Sequence, residues 1–205
     1  MHSDITGIIL AGGKSTRMGA NKSFLKIGEQ TIVERITDLM KSVFAEVMII
    51  SNTPEEYKFL NLPIYEDVYK GKGPIGGIHS GLKNSNAEKN IFISCDVPLM
   101  NKETIEYILN YETDKPIRVC RTKGFIQPLP GMYDRRLLDN LEKILGSENA
   151  EGKDRRNKLL TLIESCDAEI INPEGTIGYT ENTFLNINTQ EDYNNLRAMI
   201  EKQYV

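Results

Sequence analysis

The sequence has few cysteines, no long apolar run near its start and no excess of basic residues. Cys95, Cys120 and Cys166 are odd in number and lack the spacing of metal ligands, so we expect reduced, buried thiols in a cytoplasmic protein. The apolar run Ile8–Ala11 is far too short for a secretion signal or a membrane span. The net charge of −4 argues against a general nucleic-acid binder.

Apolar runs alternate with segments of helical periodicity in the first half of the chain, whose 205 residues suit one domain. Buried strands are predicted at 7–11, 46–50, 62–67 and 90–96. Helices are predicted at 31–44, around 75–82 and at 101–111. Strands and helices in this order predict a parallel sheet with helical crossovers.

The second half of the chain is less regular. Short strands are expected at 116–121, 128–134, 168–171 and 183–187. We expect a helix near Arg136–Leu145, a polar loop over 146–157, and a final helix capped by Thr189 and Asp192. The prediction is therefore one α/β domain over residues 1–205.

A glycine pair with basic residues follows the first predicted strand. Gly12 and Gly13 come directly after the apolar run, and Arg17 and Lys22 follow shortly after them. Their spacing fits neither a P-loop nor a dinucleotide fingerprint. Glycine amides can approach phosphates closely, and basic side chains can neutralise them. The segment predicts a polyphosphate-binding loop, the alternative being a tight turn with solvated basic side chains.

Polar residues also stand at the carboxyl ends of the other predicted strands, namely Asn52, Glu66, Asp67 and Asp96. Ligands of open parallel sheets bind beyond the carboxyl ends of the strands. Asp96 would suit a magnesium ion, Mg²⁺, which typically needs one or two protein carboxylates plus substrate phosphates. A helix cap or a turn is the alternative role for Asp96, and for Asp67 as well.

Several segments together resemble the MobA family, the molybdenum cofactor guanylyltransferases, which belong to the Rossmann-like nucleotidyltransferases. They read LAGGKSTRMG followed by Lys22, YEDVYKGKGPIGGI, FISCDVPLM, QPLPGMYD and FLNINTQEDY. The first of them marks all nucleotidyltransferases of this group, whereas the ordered set, from residue 8 to about 196, is much more specific. Asn21 and Gln190 stand where the family usually has Asp and Pro, which leaves the resemblance intact.

The resemblance implies a three-layer Rossmann-like nucleotidyltransferase fold with a mostly parallel sheet. The half of the domain nearer the N-terminus would bind the nucleotide, and the other half would face the pterin. The implied enzyme is Mg²⁺-dependent and transfers GMP from GTP to Mo-molybdopterin, forming molybdopterin guanine dinucleotide and releasing pyrophosphate. Further partners could be other proteins of molybdenum cofactor biosynthesis or recipient molybdoenzymes.

The resemblance also implies roles for individual residues. Those implied to bind GTP are Leu10, Ala11, Gly12, Lys22, Asp67 and Asp96, and Asp96 would also bind Mg²⁺. We expect the amides of Gly12 and Gly13 to receive the triphosphate. Arg17 and Lys22 would offset charge on the leaving pyrophosphate, so the expected catalytic residues are Arg17, Lys22 and Asp96.

Alternatives remain open at this point. The enzyme could use CTP or another nucleoside triphosphate, with a pterin, sugar or alcohol phosphate as acceptor, and a catalytically silent nucleotide sensor is the rival from another class. Asn186 and Asn188 could contact substrate or metal-bound water, or simply end a strand. The basic cluster of Lys153, Arg155, Arg156 and Lys158 fits a solvated loop or an anionic pterin, and His79 fits packing better than catalysis.

Overall fold

A sheet of seven strands forms the centre of the protein, in the order β5-β4-β1-β6-β8-β7-β9. The computed structural model describes residues 1–12, 21–146 and 155–203. The strands of this sheet are β1 (His2–Leu10), β4 (Phe44–Ile50), β5 (Ile64–Tyr65), β6 (Lys89–Ser94), β7 (Ile117–Thr122), β8 (Phe125–Asp134) and β9 (Glu169–Ile171). β8 runs antiparallel to both of its neighbours, and the other pairs are parallel. The prediction of a mostly parallel sheet is confirmed.

Helices cover both faces of the sheet. They are α1 (Ile32–Val43), α2 (Pro74–Asn84), α3 (Lys102–Asn110), α4 (Leu138–Gly146), α5 (Arg155–Ser165) and α6 (Gln190–Gln203). Short 3₁₀ turns at Lys22–Phe24, Pro54–Leu60 and Arg135–Leu137 and a small hairpin of β2 (Lys26–Ile27) and β3 (Gln30–Thr31) complete the described elements. No helix among the described residues has the length and apolar character needed to cross a membrane.

The alternation of side chains along β1 creates two hydrophobic cores. Ile9 belongs to the core beneath α1, α3 and α6, whereas its neighbour Ile8 belongs to the core beneath α2, α4 and α5. Successive side chains of a strand point to opposite faces, so the apolar run of β1 supplies both cores. The result is the predicted three-layer α/β architecture.

Side chains cap the starts of three helices, and the caps of α3 and α6 were predicted from the sequence. Thr31 and Glu34 form a capping box at the start of α1. The Asn101 side chain accepts a hydrogen bond from the Thr104 amide at the start of α3. At the start of α6, the Thr189 hydroxyl accepts from the Asp192 amide while the Asp192 carboxylate accepts from the Thr189 amide. These bonds satisfy amides that the helices themselves leave unpaired.

The predicted loop over 146–157 is wrong at its end, because α5 begins at Arg155. Leu159, Leu162 and Ile163 are buried, and their spacing gives this helix an apolar face against the second core. Residues 147–154 lie outside the described part of the chain, and so does Lys153 of the basic cluster. The cysteine prediction needs one correction as well: all three thiols are free, but Cys166 is partly exposed.

The predicted strand at 183–187 is also wrong, because residues 183–184 lie in a turn and residues 185–187 have no regular structure. The amides of Leu185 and Ile187 donate to the carbonyls of Asn182 and Asp96 and form no ladder with a neighbouring strand. The Asn186 side chain donates to the Phe184 carbonyl, and the Asn188 amide donates to the Asp192 carboxylate. Polar side chains that bind the local backbone in this way compete with sheet formation.

Candidate functional site

Four parallel strands end at the same level of the sheet. Leu10 of β1 lies opposite Ile50 of β4 and Ser94 of β6, and Ile50 lies opposite Tyr65 of β5. The polar or glycine residues that come shortly after these strand ends are Gly12, Asn52, Asp67 and Asp96. The register therefore brings residues from distant parts of the sequence to one edge, where ligands of such sheets bind.

Gly12 makes the turn that leaves β1. The amide of Ala11 still donates to the Ile50 carbonyl at 2.9 Å, while Gly12 has φ of +149° and is exposed. This conformation strongly favours glycine, and it leaves the backbone open to close approach. Gly13 and Arg17, which were predicted to act with Gly12, lie outside the described residues.

The first turn of α2 packs against the end of β1. A Cβ atom on Gly77 would lie 3.0 Å from the Leu10 side chain, so the helix and the strand are in close contact here. Pro74 occupies the first turn, after Gly73 with φ of +73°. The positive end of the α2 dipole therefore lies at the same sheet edge, where it favours a bound anion.

Asn52 and Asp67 are joined side by side at the ends of β4 and β5. The Asn52 side-chain amide donates to Asp67 Oδ2 at 2.7 Å, and the Asp67 amide donates to Asn52 Oδ1 at 3.2 Å. Burial raises the pKa of Asp67, with the Asn52 hydrogen bond and the charge of Lys70 acting in the opposite direction. Asn52 is not among the ligands expected from the sequence, although it follows the end of β4 as Asp67 follows the end of β5.

Asp96 follows β6, and one of its carboxylate oxygens has no hydrogen-bond partner among the residues that the structure describes. Its Oδ1 is buried, and the described part of the chain offers it no donor. Burial raises the pKa of Asp96, while a hydrogen bond from Ser94 and the charge of Lys22 oppose this shift. A buried, unpaired carboxylate oxygen is costly unless a cation or donor satisfies it.

The donor set at this edge fits a hard cation. Carboxylate oxygen is the preferred protein ligand of Mg²⁺, which keeps several waters and often takes phosphate oxygens as its other ligands. No group of three or more potential metal-ligating side chains occurs among the described residues. Asp96 alone therefore suits a metal that is shared with a phosphate ligand, and does not suit a closed structural metal site.

Lys22 approaches the same place from a different segment. Lys22 is the first residue of the 3₁₀ turn Lys22–Phe24. Asn21 caps this turn, because its side chain accepts a hydrogen bond from the Ser23 amide at 3.1 Å. Lys22 Nζ donates to Asn188 Oδ1 at 3.4 Å, and its charge acts on both Asp96 and Asp192. The structure thus brings the predicted lysine and the predicted metal ligand together.

The segment 186–188 reaches the site through its backbone. The amide of Ile187 donates to the Asp96 carbonyl at 2.9 Å, which places the neighbouring Asn188 beside Lys22. Asn186 instead donates to the Phe184 carbonyl. Of the two asparagines left open by the sequence, Asn188 is the one that contacts a predicted site residue within the described ranges. His79 is fully buried in α2, as expected for a packing residue.

Two cavities of about 330 and 430 Å³ lie outside the group formed by Gly12, Asn52, Asp67 and Asp96, although Tyr65 at the end of β5 lines the larger one. The residues that line the smaller include Asp134, Arg136 and Arg118, near the start of β7 and the end of β8. There Arg136 contacts Asp134 at 3.0 Å, and Arg118 donates to the Leu109 carbonyl at 2.9 Å. Neither cavity is lined by the predicted site residues. The strand ends therefore remain the candidate site.

Comparison with known proteins agrees with this geometry. The family model described as MobA-like NTP transferase domain matches residues 7–161. The chain is 36% identical over 197 residues to the "probable molybdenum cofactor guanylyltransferase" of Carboxydothermus hydrogenoformans, covering 94% of this chain and 95% of that protein. It is 31% identical over 196 residues to the molybdenum cofactor guanylyltransferase of Syntrophotalea carbinolica, covering 94% and 90%.

A solved structure supports the fold independently. Molybdopterin-guanine dinucleotide biosynthesis protein A from Archaeoglobus fulgidus superposes with a TM-score of 0.79 at 18% identity, over 96% of this chain and 99% of that chain. The predicted Rossmann-like nucleotidyltransferase fold is confirmed. From its sequence and its fold, the chain belongs to the MobA-like NTP transferase family.

Proposed function

We propose that this protein transfers GMP from GTP to Mo-molybdopterin, releasing pyrophosphate and forming the guanine dinucleotide. The observation that carries the proposal is the alignment of Gly12, Asp67 and Asp96 at one sheet edge, with Lys22 beside them. Relatives that share about a third of the sequence bear the name molybdenum cofactor guanylyltransferase. The half of the chain nearer the N-terminus would hold the nucleotide, and the reaction would take place in the cytoplasm.

The triphosphate would lie between the end of β1 and the start of α2. There the backbone at Gly12 is exposed, and the first turn of α2 presents the positive end of its dipole. Lys22 adds a full positive charge from the facing segment. Arg17 and Gly13 are proposed to act with them. These groups would hold the leaving pyrophosphate in place and stabilise the charge that develops on it.

Asp96 is the residue that would hold Mg²⁺. Its buried Oδ1, which has no hydrogen-bond partner among the described residues, supports this assignment, because a divalent cation would satisfy that oxygen. When bound, the metal supplies charge neutralisation on the phosphate oxygens. Asn52 and Asp67 hold each other in a fixed geometry and would orient the rest of the nucleotide.

The acceptor needs positioning more than activation. A terminal phosphate is already ionised at neutral pH, so the protein need not supply a general base, and the fully buried His79 is consistent with this. We place the pterin beyond the end of β6. The last residue pair between β6 and β8 is Phe92 with Gly131, and the first half of β8 continues past this pair. Gln127 lies in this part of β8 and donates to the Thr122 hydroxyl at 3.2 Å.

The test is incubation of the protein with Mo-molybdopterin, Mg²⁺ and each of GTP, CTP, UTP and ATP in turn, followed by mass spectrometry. We expect the guanine dinucleotide with GTP, and far less product with the other three nucleotides. A preference for CTP would leave the reaction class intact but correct the substrate. Binding of GTP without pyrophosphate release in the presence of the acceptor would contradict the proposal and favour a nucleotide sensor.

A further inference from the structure

Three buried polar side chains meet beneath the candidate site. They are Tyr57 from the 3₁₀ turn after β4, Ser23 from the turn that carries Lys22, and Cys95 from the end of β6, with exposed fractions of 0%, 4% and 5%. Buried polar groups normally persist only where they are hydrogen-bonded to one another. Their contacts should therefore fix the relative position of the three segments.

The hydrogen bonds among these residues form a directed chain. The Tyr57 hydroxyl accepts from the Asn21 side-chain amide at 3.0 Å and donates to Ser23 Oγ at 3.3 Å. Ser23 is buried beside the Cys95 thiol. Burial raises the pKa of Cys95 to about 12, so it remains a neutral thiol at physiological pH. The Asn21 side-chain amide and the Tyr57 hydroxyl are thus each matched with an acceptor from another segment.

The residues next to this chain are the ones proposed to act on GTP. Lys22 lies between Asn21 and Ser23, and Asp96 follows Cys95. The ring of Tyr57 also stacks on Phe24, with the centroids 5.3 Å apart. Tyr57 therefore holds both ends of the short turn that carries Lys22.

We propose that Tyr57 is a positioning residue, whose hydroxyl fixes the Lys22 turn against the 3₁₀ turn after β4, at the sheet edge where Asp96 lies. The proposal rests on the proposed role of Lys22 in binding the GTP triphosphate. A lysine side chain has large rotational freedom, so its contribution to binding depends on how well its backbone is held. Tyr57 does not itself need to touch the substrate.

Tyr57→Phe removes the hydroxyl and keeps the stacked ring. In the nucleotide-free protein, the amides of Ser23 and Leu25 donate within this turn, to Asn21 Oδ1 and the Lys22 carbonyl. Residue-resolved hydrogen exchange should show these two amides exchanging about tenfold faster in the variant, as expected when roughly one hydrogen bond is lost. Amides of β1 serve as the internal reference and should change much less.

Tyr107→Phe is the matched control. The Tyr107 hydroxyl donates to the Asn172 carbonyl at 2.9 Å, outside the network around Lys22. This variant also loses one tyrosine hydrogen bond, but exchange at Ser23 and Leu25 should stay at the wild-type rate. Unchanged exchange at these amides in Tyr57→Phe, or an equal increase in both variants, would overturn the proposal.

A double-mutant cycle with Lys22→Ala tests whether Tyr57 acts through the lysine. Tyr57→Phe should weaken GTP binding about threefold to tenfold in the wild-type background, and less than about twofold when Lys22 is already absent. An equal loss in both backgrounds would contradict the positioning role. If the wild type fails to bind GTP at all, the proposed function fails, whereas the exchange experiment still decides the role of Tyr57.

Discussion

Lys22 Nζ lies 3.4 Å from Asn188 Oδ1, although 166 residues separate the two in the sequence. The contact places the segment before α6 directly beside the proposed nucleotide site. It also follows from the fold, because the Ile187 amide is bound to the Asp96 carbonyl at the end of β6. A late segment of the chain thus contributes to a site built mainly by its first half.

Asn188→Asp tests the importance of this contact. The new carboxylate would pair with the Lys22 ammonium and repel the triphosphate, so GTP affinity should fall severalfold at low salt and recover partly as salt screens the charges. The measurement is a titration of GTP at two ionic strengths. Asn195→Asp, at an exposed position of α6, adds the same charge away from Lys22 and should have little effect. Unchanged affinity in Asn188→Asp would place the triphosphate elsewhere.

Lys22→Ala should lower the turnover of GTP about tenfold to a hundredfold, the loss expected for a charge-assisted contact worth about 1.5–3 kcal/mol. The thermal midpoint should not change, because the side chain makes one long polar contact among the described residues, at 3.4 Å to Asn188. Lys26→Ala is the control, since Lys26 is exposed in the same part of the chain. Full activity of the Lys22 variant would remove this lysine from the site.

Gly12→Ala should abolish tight GTP binding. The protein leaves space for the added methyl group, with the nearest atom, Ser51 Oγ, at 3.7 Å, so the damage would come from the φ of +149° and from blocked approach of the phosphates. Gly28→Ala is a matched control, because Gly28 also has a positive φ, +61°, and open space around it. Both variants should lose some thermal stability, but only Gly12→Ala should lose GTP in a binding titration. Equal GTP affinity of the Gly12→Ala and Gly28→Ala variants would show that Gly12 only shapes the backbone and does not contact GTP.

Asp67→Asn should weaken nucleotide binding without lowering stability at neutral pH. Because burial raises the pKa of Asp67 above its ordinary value of 3.8, the ionised carboxylate favours the unfolded state. This destabilisation is absent at pH values below the pKa of Asp67 in the unfolded chain. It is complete at pH values above the raised pKa of Asp67 in the folded protein. In denaturant unfolding, the free energy of unfolding of the variant should therefore rise relative to that of the wild type as the pH increases from about 3.5 to 7. A variant that becomes relatively less stable over this range would contradict the direction of the shift.

The sheet edge that forms the candidate site could be predicted because its signals are local. The apolar runs that become β1, β4 and β6 are bounded by glycine or polar residues, and parallel pairing then brings their ends together. The caps of α1, α3 and α6 follow equally local rules. For these features the sequence and the structure agree.

Other features depend on contacts between distant segments. Nothing next to Tyr57 in the sequence indicates that its hydroxyl bonds to Asn21 and Ser23. The apolar residues around Leu185 resemble a strand, but the Leu185 amide donates to the Asn182 carbonyl and the Ile187 amide to the Asp96 carbonyl. The contact of Ile187 with the distant Asp96 is set by tertiary structure, which local periodicity does not contain.

The most direct test of the account is the rate of guanine dinucleotide formation by Asp96→Asn at ordinary Mg²⁺ concentration. The amide keeps the size of the side chain and its ability to cap or turn, but removes the negative charge that a hard cation prefers. We predict a folded variant whose turnover is at least about a hundredfold below that of the wild type, and which still binds GTP. A turnover near that of the wild type would show that Asp96 does not hold the metal and would contradict the central assignment.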